Sequence, residues 1–196
     1  MDQFNHLLEH FKETVNLNKS DEELLIENFR IKDFSKNDII LSGGEISEHM
    51  RFIHKGCLKS YYLNEDGKEH ILHFGIEGWW INDMYSYFTH TPANQFIQAL
   101  EDGVILQIEK SRLEKLFDQS QSIERFFRLK FQAAYVAFVD RTLKSLSKTA
   151  EDRYLEFISK YPDIEQRVPQ YALASYLGIT PEFLSVLRKR RLKTRS

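Results

Sequence analysis

The sequence predicts an α+β protein in which an antiparallel β-roll or jelly roll with flanking helices precedes a long helix and a C-terminal helix-turn-helix. Three observations predict this order. Within residues 31–108, short apolar runs alternate with glycine-containing turns roughly every ten residues, which is typical of an all-β segment. Residues 122–147 keep apolar side chains at helical spacing without Gly or Pro. Two short helical segments then flank Gly178. The predicted domains are residues 1–118, 119–148 and 149–196.

Helices are predicted on both sides of the roll. Residues 2–15 place their apolar side chains at helical spacing. Ser20 followed by Glu23 has the pattern of a capping box, which predicts the start of a second helix. After the roll, Ser111 is expected to cap a short helix that ends near Phe117.

The clearest strand pair within the roll is a β-hairpin. Residues 58–63 and 69–74 are the two predicted strands, and the segment between them contains Asp66 and Gly67. Asp-Gly between two apolar runs is a strong local signal for a tight turn between antiparallel strands.

The charge is unevenly distributed along the chain. The 196 residues carry a formal net charge of −2, but the last few residues alone carry +6. An acidic body with one basic end suits a partner rich in phosphates, and double-stranded DNA is the expected partner. The basic residues are Arg188, Lys189, Arg190, Arg191, Lys193 and Arg195.

Cysteine content and hydropathy indicate the cellular location that the sequence favours. Cys57 is the only cysteine, so the sequence excludes an intrachain disulfide and a four-cysteine iron–sulfur cluster. No apolar run approaches the roughly 18–20 residues that span a bilayer. A cytoplasmic location is therefore expected.

The C-terminal domain has the signals of a helix-turn-helix. Thr149 is expected to cap its first helix and Pro162 to end it. Further on, Gly178 provides a permissive turn, Thr180 an N-cap and Pro181 a first helical residue. In this unit, the second helix enters the major groove of DNA.

The second helix of this unit supplies the candidate DNA contacts. Phe183, Leu184 and Leu187 are expected to pack inward, which turns the intervening residues toward the groove. Glu182 is suited to accept a hydrogen bond from a cytosine amino group, and Ser185 can donate or accept. The predicted DNA-binding residues are Thr180, Glu182, Ser185, Val186, Arg188, Lys189, Arg190 and Arg191.

The long helix is too apolar to be covered on one side only. Bulky Phe and small Ala side chains recur along it at spacings of three and four, which suits a seam with the same helix of a second copy. Packing on the chain's own roll is the alternative. The predicted homodimer interface comprises Ile123, Phe127, Phe131, Ala134 and Phe138.

In their order along the chain, these elements resemble the Crp/Fnr superfamily, which includes the cyclic-AMP receptor protein and the fumarate–nitrate regulator. The tail segments resemble an uncharacterised bacterial subgroup of that superfamily. The resemblance implies a transcription regulator with a cyclic-nucleotide-binding-like roll, and it implies RNA polymerase as a partner. The segments that carry it are residues 40–45, 52–56, 66–69, 78–83, 149–154 and 177–182.

The resemblance also implies an effector pocket inside the roll, where a Gly-Glu-Leu segment and an Arg-Ser pair hold a cyclic phosphate. Here residues 82–84 are Asn-Asp-Met, and Ala93-Asn94 stand in the Arg-Ser position. A buried phosphate needs a cation. We therefore expect no cyclic-AMP binding in the manner of the family. The predicted pocket residues are Trp80, Asn82, Asp83, Met84, Ala93, Asn94 and Phe127.

The resemblance bears on base recognition as well. Val186 stands where relatives commonly have an arginine that reads guanine. An apolar side chain at this position suits a thymine methyl group instead. The target sequence is therefore expected to differ from the usual one.

Two other classes of function remain as alternatives. One is an effector-binding or protein-interaction roll that does not bind DNA. The other is a cupin-like metalloenzyme, but strand ligands for a metal need two histidines separated by one residue, and His70 and His73 are three apart. We predict no catalytic residues, no metal site and no cofactor.

Overall fold

The computed structural model describes residues 2–194, with side chains described as far as Arg191. Arg195 and the side chain of Lys193, both predicted to be part of the basic end, lie outside the described residues. The chain forms two compact units. The first contains the residues up to Ser60 and Phe74–Tyr135, and the second contains Tyr61–His73 and the residues from Val136 onward.

Two helices open the first unit, namely α1 (Asp2–Lys12) and α2 (Lys19–Asn28). The cap of α2 differs from the prediction. Asn18 and Asp21 form the capping box, with the Asp21 N–H donating to Asn18 Oδ1 at 2.9 Å and the Asn18 N–H donating to Asp21 Oδ2 at 3.1 Å. Because Asn is as good an N-cap as Ser, the helix begins two residues earlier and places Asp21 at the third helical position.

The roll consists of two antiparallel sheets, as the turn pattern predicted. One sheet has the strand order β1-β7-β3 and the other β2-β6-β4-β5. The predicted hairpin is confirmed by β4 and β5. The strands are β1 (Arg30–Phe34), β2 (Ile39–Leu41), β3 (His49–Lys55), β4 (Leu58–Leu63), β5 (Glu69–Gly75), β6 (Phe96–Ala99) and β7 (Gly103–Glu109).

Strand β3 separates two hydrophobic cores of the first unit. Successive side chains on a strand point to opposite faces. Phe52 accordingly packs with the helices in one core, while Ile53 packs inside the roll with residues such as Ile97 and Ile105. Arg51 shares the Ile53 face, and this face lines the interior of the roll.

The helices after β5 differ from the sequence prediction in two places. A short helix, α3 (Met84–Thr89), interrupts the segment predicted as entirely β. Helix α4 (Lys110–Gln119) begins before Ser111, with Glu109 at the N-cap and no side-chain cap. The long helix α5 (Gln121–Ser147) follows as predicted.

The second unit ends in α6 (Ala150–Lys160), α7 (Pro162–Arg167), α8 (Gln170–Leu177) and α9 (Pro181–Thr194). Thr149 caps α6 as predicted and accepts the Asp152 N–H at 3.1 Å. Pro162 follows the end of α6 but also opens α7, which the sequence analysis missed. Proline suits the first turn of a helix because that turn needs no N–H donor.

Candidate nucleic-acid interface and sensor roll

The turn between α8 and α9 has the geometry predicted for a helix-turn-helix. Gly178 ends α8 in the left-handed region with φ 69°, where a side chain would add strain. The Ile179 N–H donates to the Ala174 carbonyl at 3.0 Å. Thr180 Oγ1 accepts the Phe183 N–H at 3.2 Å, as expected of an N-cap.

Helix α9 has one buried and one exposed face. Leu184 and Leu187 are buried as predicted, whereas Glu182, Val186 and Lys189 are exposed. Phe183 is 40% exposed, which corrects the prediction that it packs inward. At about 100° per residue, Phe183 lies roughly 70° from the middle of the stripe formed by Leu184 and Leu187, which places it at the edge of the buried face.

Gln170, at the start of α8, holds Ser185 of α9. Its Nε2 donates to the Pro181 carbonyl at 2.9 Å and to Ser185 Oγ at 2.7 Å. A carbonyl only accepts, so the nitrogen end of the amide must face Pro181 and Ser185. Ser185 therefore accepts from Gln170, and its own hydroxyl hydrogen is left to donate. The sequence analysis missed Gln170 because no local pattern links residues on two different helices.

The carboxylate of Glu182 is an acceptor on the exposed face of α9. Hydrogen bonds from its own backbone N–H and from the Thr180 hydroxyl lower the pKa of this carboxyl below its usual range. Glu182 is therefore ionised at neutral pH and donates no hydrogen bond.

Two of the predicted DNA-contacting arginines bind Glu165 instead. Arg188 Nε lies 3.3 Å from Glu165 Oε1, and Arg191 Nη1 lies 2.8 Å from Glu165 Oε2. Tyr154 donates its hydroxyl to the same carboxylate at 2.6 Å. These side chains fix α9 to α6 and α7, and their contact with DNA stays a prediction. Arg190 is exposed and lies 3.6 Å from Glu151.

Burial and hydrogen bonding act in opposite directions on Glu165. Burial acts to raise the pKa of its carboxyl, but the hydrogen bonds from Tyr154 and Arg191 outweigh it, and the pKa lies below its usual value. The carboxylate therefore stays charged between the two arginines.

The apolar stripe on α5 lies further along the helix than predicted. Ile123 and Phe127 are 0% and 1% exposed in the chain's own core, which removes them from the predicted dimer interface. Phe131 is partly buried and Ala134 is exposed. The apolar side chains left to solvent, which we call the α5 stripe, are Tyr135, Val136, Phe138, Val139, Leu143 and Leu146.

The predicted effector-pocket residues are used inside the first unit. Asn82 Oδ1 accepts the Arg51 N–H at 3.0 Å. Asp83 is 1% exposed and caps α3 by accepting the Ser86 N–H at 3.0 Å. Ala93 is buried in the roll core, and Asn94 is exposed.

The aromatic members of the predicted pocket fill a core instead. The rings of Trp80 and Phe127 lie 5.1 Å apart, and Phe126 stacks on Phe11 with 3.7 Å between ring centroids. Met84 packs against the same core. This corrects the prediction that Trp80, Met84 and Phe127 line an open pocket, because neighbouring rings occupy that space.

The roll also contains a buried arginine, which lies outside the segment where the sequence analysis looked for a phosphate-binding cation. Arg51 is 4% exposed and lines a cavity of about 210 Å³. One guanidinium nitrogen donates to the His49 carbonyl at 3.2 Å, and buried Nε has no acceptor among the described residues. Burial lowers the pKa of Arg51 to about 10, although the Glu45 carboxylate acts in the opposite direction. The guanidinium is therefore still charged at neutral pH.

The described residues contain neither a candidate metal site nor a membrane-spanning helix. Among the described side chains, no group of three or more His, Cys, Asp or Glu residues is placed to hold a metal ion. His6 and His54 face each other, with 3.1 Å between their Nδ1 atoms. Within residues 2–194, no helix is long and apolar enough to cross a membrane.

Comparison with known proteins agrees with this architecture. A family model described as a cyclic nucleotide-binding domain matches residues 31–120. Electron transport regulator A of Shewanella oneidensis is 26% identical over 195 residues, covering 92% of this chain and 76% of the relative. The fumarate and nitrate reduction regulatory protein of Escherichia coli is 25% identical, covering 84% of this chain and 70% of the relative.

Solved structures show the same fold. FixK2 from Bradyrhizobium japonicum matches with a TM-score of 0.70 and 18% identity over 85% of each chain. The fold and these relatives define a transcription regulator with a cyclic-nucleotide-binding type of roll. In sequence and fold, the chain is similar to regulators of the Crp/Fnr superfamily. Members of this superfamily are not enzymes, which confirms the non-enzymatic prediction and removes the metalloenzyme alternative.

Proposed function

We propose that this protein is a homodimeric, sequence-specific DNA-binding regulator that reads the major groove with the exposed face of α9. The observation that carries the proposal is the pairing of α8 and α9 around Gly178, which buries Leu184 and Leu187 and leaves Glu182, Val186 and Lys189 exposed. This is the arrangement in which the second helix of such a pair enters the groove.

Each exposed residue of α9 has a distinct role in the proposed contact. Ionised Glu182 accepts from a cytosine amino group. Ser185, which already accepts from Gln170, donates to an acceptor such as a purine N7 or thymine O4. Val186 contacts a thymine methyl group, Thr180 and the first amides of α9 face a phosphate, and Lys189 and Arg190 supply attraction that is independent of sequence.

The α5 stripe supports the dimer. Tyr135, Phe138 and Leu146 are 69%, 66% and 81% exposed on one helix, and exposed apolar surface of this kind marks an association site. Two recognition helices in such a dimer lie about 34 Å apart and favour a palindromic target. A regulator of this kind acts on the chromosome together with RNA polymerase, so both that partner and a cytoplasmic location belong to the proposal.

The roll is proposed not to bind cyclic AMP in the manner of the family. Ala93 and Asn94 offer no positive charge, and the nearby Asp83 carboxylate is buried. At the positions where the family holds the phosphate, a carboxylate at residue 83 and no cation at residues 93–94 disfavour a phosphate. Calorimetric titration with cyclic AMP is expected to give no heat of binding, and a dissociation constant in the micromolar range or tighter would contradict this.

Selection of bound genomic fragments tests the DNA-binding proposal. Purified protein is expected to enrich fragments that share a palindromic sequence, and Glu182→Ala is expected to change or abolish the enriched sequence while the protein stays folded. Glu65→Ala, at an exposed turn, is the matched control. Enrichment of no common sequence by the wild-type protein would favour an effector-binding or protein-interaction module.

A further inference from the structure

A buried arginine inside the roll has a donor without an acceptor, although the Glu45 carboxylate provides a counter-charge nearby. Arg51 is 4% exposed, yet its Nε has no acceptor among the described residues. Its Nη1 donates to the His49 carbonyl at 3.2 Å, and this acceptor is neutral. An ionised group buried with an unsatisfied donor is costly unless an anion or a set of acceptors compensates it.

The cavity beside Arg51 has room for such a group. Its volume of about 210 Å³ is smaller than the roughly 300–1,000 Å³ of pockets for drug-sized ligands. Gln107 is the register partner of Arg51 on β7, and Lys32, on the outer strand β1, also lines the cavity. The lining therefore offers an amide and two cations to a small polar ligand.

Two carboxylates in the same lining restrict the charge of the ligand. Glu45 and Glu48 border the cavity, and Glu45 is held by the Ser42 N–H, which donates to Oε2 at 2.8 Å. Like charges at close range repel, so each added negative charge on the ligand weakens binding. A monocarboxylate is favoured over phosphate, because a large share of phosphate is a dianion at neutral pH.

We propose that the cavity lined by Arg51, Lys32, His49 and Gln107 binds a small monocarboxylate, whose oxygens accept from Arg51 Nε. The site is separate from residues 82–84 and 93–94, which occupy the positions of the family's cyclic-phosphate pocket and do not line this cavity. It does not depend on DNA binding, so failure of the α9 proposal leaves it standing.

The test is a titration of isotopically labelled full-length protein with sodium acetate and sodium propionate, followed by NMR. The Arg51 Nε–H signal and the backbone amides of Lys32 and Gln107 are expected to shift and saturate in the low-millimolar range, as befits ligands of a few heavy atoms. Sodium chloride at equal ionic strength is expected to give no saturable shift. If Nε binds only water, neither carboxylate will give a saturable shift. That result would overturn the proposal.

Two variants distinguish ligand binding by Arg51 from a general effect of removing one positive charge. Arg51→Met is expected to abolish the saturable amide shifts, whereas Arg30→Met, at an exposed arginine of β1 paired in register with the same Gln107, is expected to retain them. If Arg51→Met does not fold, Glu45→Gln decides instead, because loss of a repelling charge should lower the half-saturation concentration several-fold. Weaker carboxylate binding in Glu45→Gln, or tighter binding of inorganic phosphate than of acetate by the wild type, would contradict the proposal.

Discussion

Ser175 of α8 is hydrogen-bonded to the backbone of Ile71 in β5. The Ile71 N–H donates to Ser175 Oγ at 3.0 Å, and Ser175 Oγ donates to the Glu69 carbonyl at 3.1 Å. Strand β5 is the last strand of its sheet, and an edge strand presents backbone groups that need partners. One hydroxyl on the helix-turn-helix therefore satisfies two groups of the hairpin within the second unit.

Arg141 of α5 reinforces this contact. Its guanidinium donates to the Leu72 carbonyl and lies 4.1 Å from the ring centroid of Tyr176, the residue after Ser175. A guanidinium over an aromatic face adds cation–π attraction. The hairpin, the second half of α5 and α8 thus form one bonded cluster in the second unit.

Ser175→Ala is expected to destabilise the protein by about 1–2 kcal/mol, because it removes two hydrogen bonds to a part-buried strand edge. Urea denaturation followed by circular dichroism measures this. Ser159→Ala, at an exposed position of α6, is the control and should stay within about 0.5 kcal/mol of the wild type. Equal stabilities of the two variants would show that the hairpin contact contributes nothing.

His73 predicts a loss of stability in mild acid. Burial, with a smaller contribution from the positive charge of Arg141, lowers the pKa of His73 to about 4 from an ordinary value of 6.5. The unfolded chain therefore takes up this proton first, so stability is fully present above pH 6.5 and is lost as the pH falls from 6.5 toward 4. His73→Leu is expected to flatten the dependence of the unfolding free energy on pH in this window.

The control for His73 lies on the same strand. His70 is exposed, so His70→Gln should keep the pH dependence of the wild type. A His73→Leu curve parallel to that of the wild type would mean that this imidazole does not control acid stability.

Gln170→Ala is expected to reduce the specificity of DNA binding rather than its general strength. Without the amide, Ser185 loses the partner that orients its hydroxyl, and loss of one such hydrogen bond corresponds to about 1 kcal/mol, or roughly a fivefold weaker specific complex. Fluorescence anisotropy measures the specific affinity with the selected fragment and the general affinity with a scrambled fragment. Gln166→Ala, at an exposed position of α7, should change neither, and an equal loss on both fragments would assign Gln170 a purely structural role.

Phe138→Glu is expected to dissociate the proposed dimer. It places a charge in the middle of the α5 stripe, where Phe138 is 66% exposed in the single chain, and an unpaired charge is costly in an apolar interface. Sedimentation velocity should give a monomer for this variant and a dimer for Gln132→Glu, at an exposed polar position of the same helix. A monomeric wild type, or a dimeric Phe138→Glu variant, would refute the α5 interface.

The features that the sequence predicted well rest on local signals. Gly178 ends α8, Thr149 caps α6, and the Asp66-Gly67 turn joins β4 to β5. Such residues act through backbone conformation or a neighbour three residues away, so a one-dimensional pattern is sufficient.

The features that it missed depend on residues distant in sequence. Glu165 forms ion pairs with Arg188 and Arg191, although a basic run alone gives no hint of this pairing. Periodicity likewise could not decide which end of α5 is covered by the chain's own core. Arg51 was set aside because it lies outside the segment around residues 93–94, where the family pattern places its arginine.

Footprinting of the selected DNA fragment tests the central claim most directly. If α9 reads the major groove in a dimer, the wild-type protein should protect two half-sites about one helical turn apart, and the affinity should fall steeply between about 50 and 200 mM salt. Protection of a single half-site, or of no defined sequence at any salt concentration, would contradict the account.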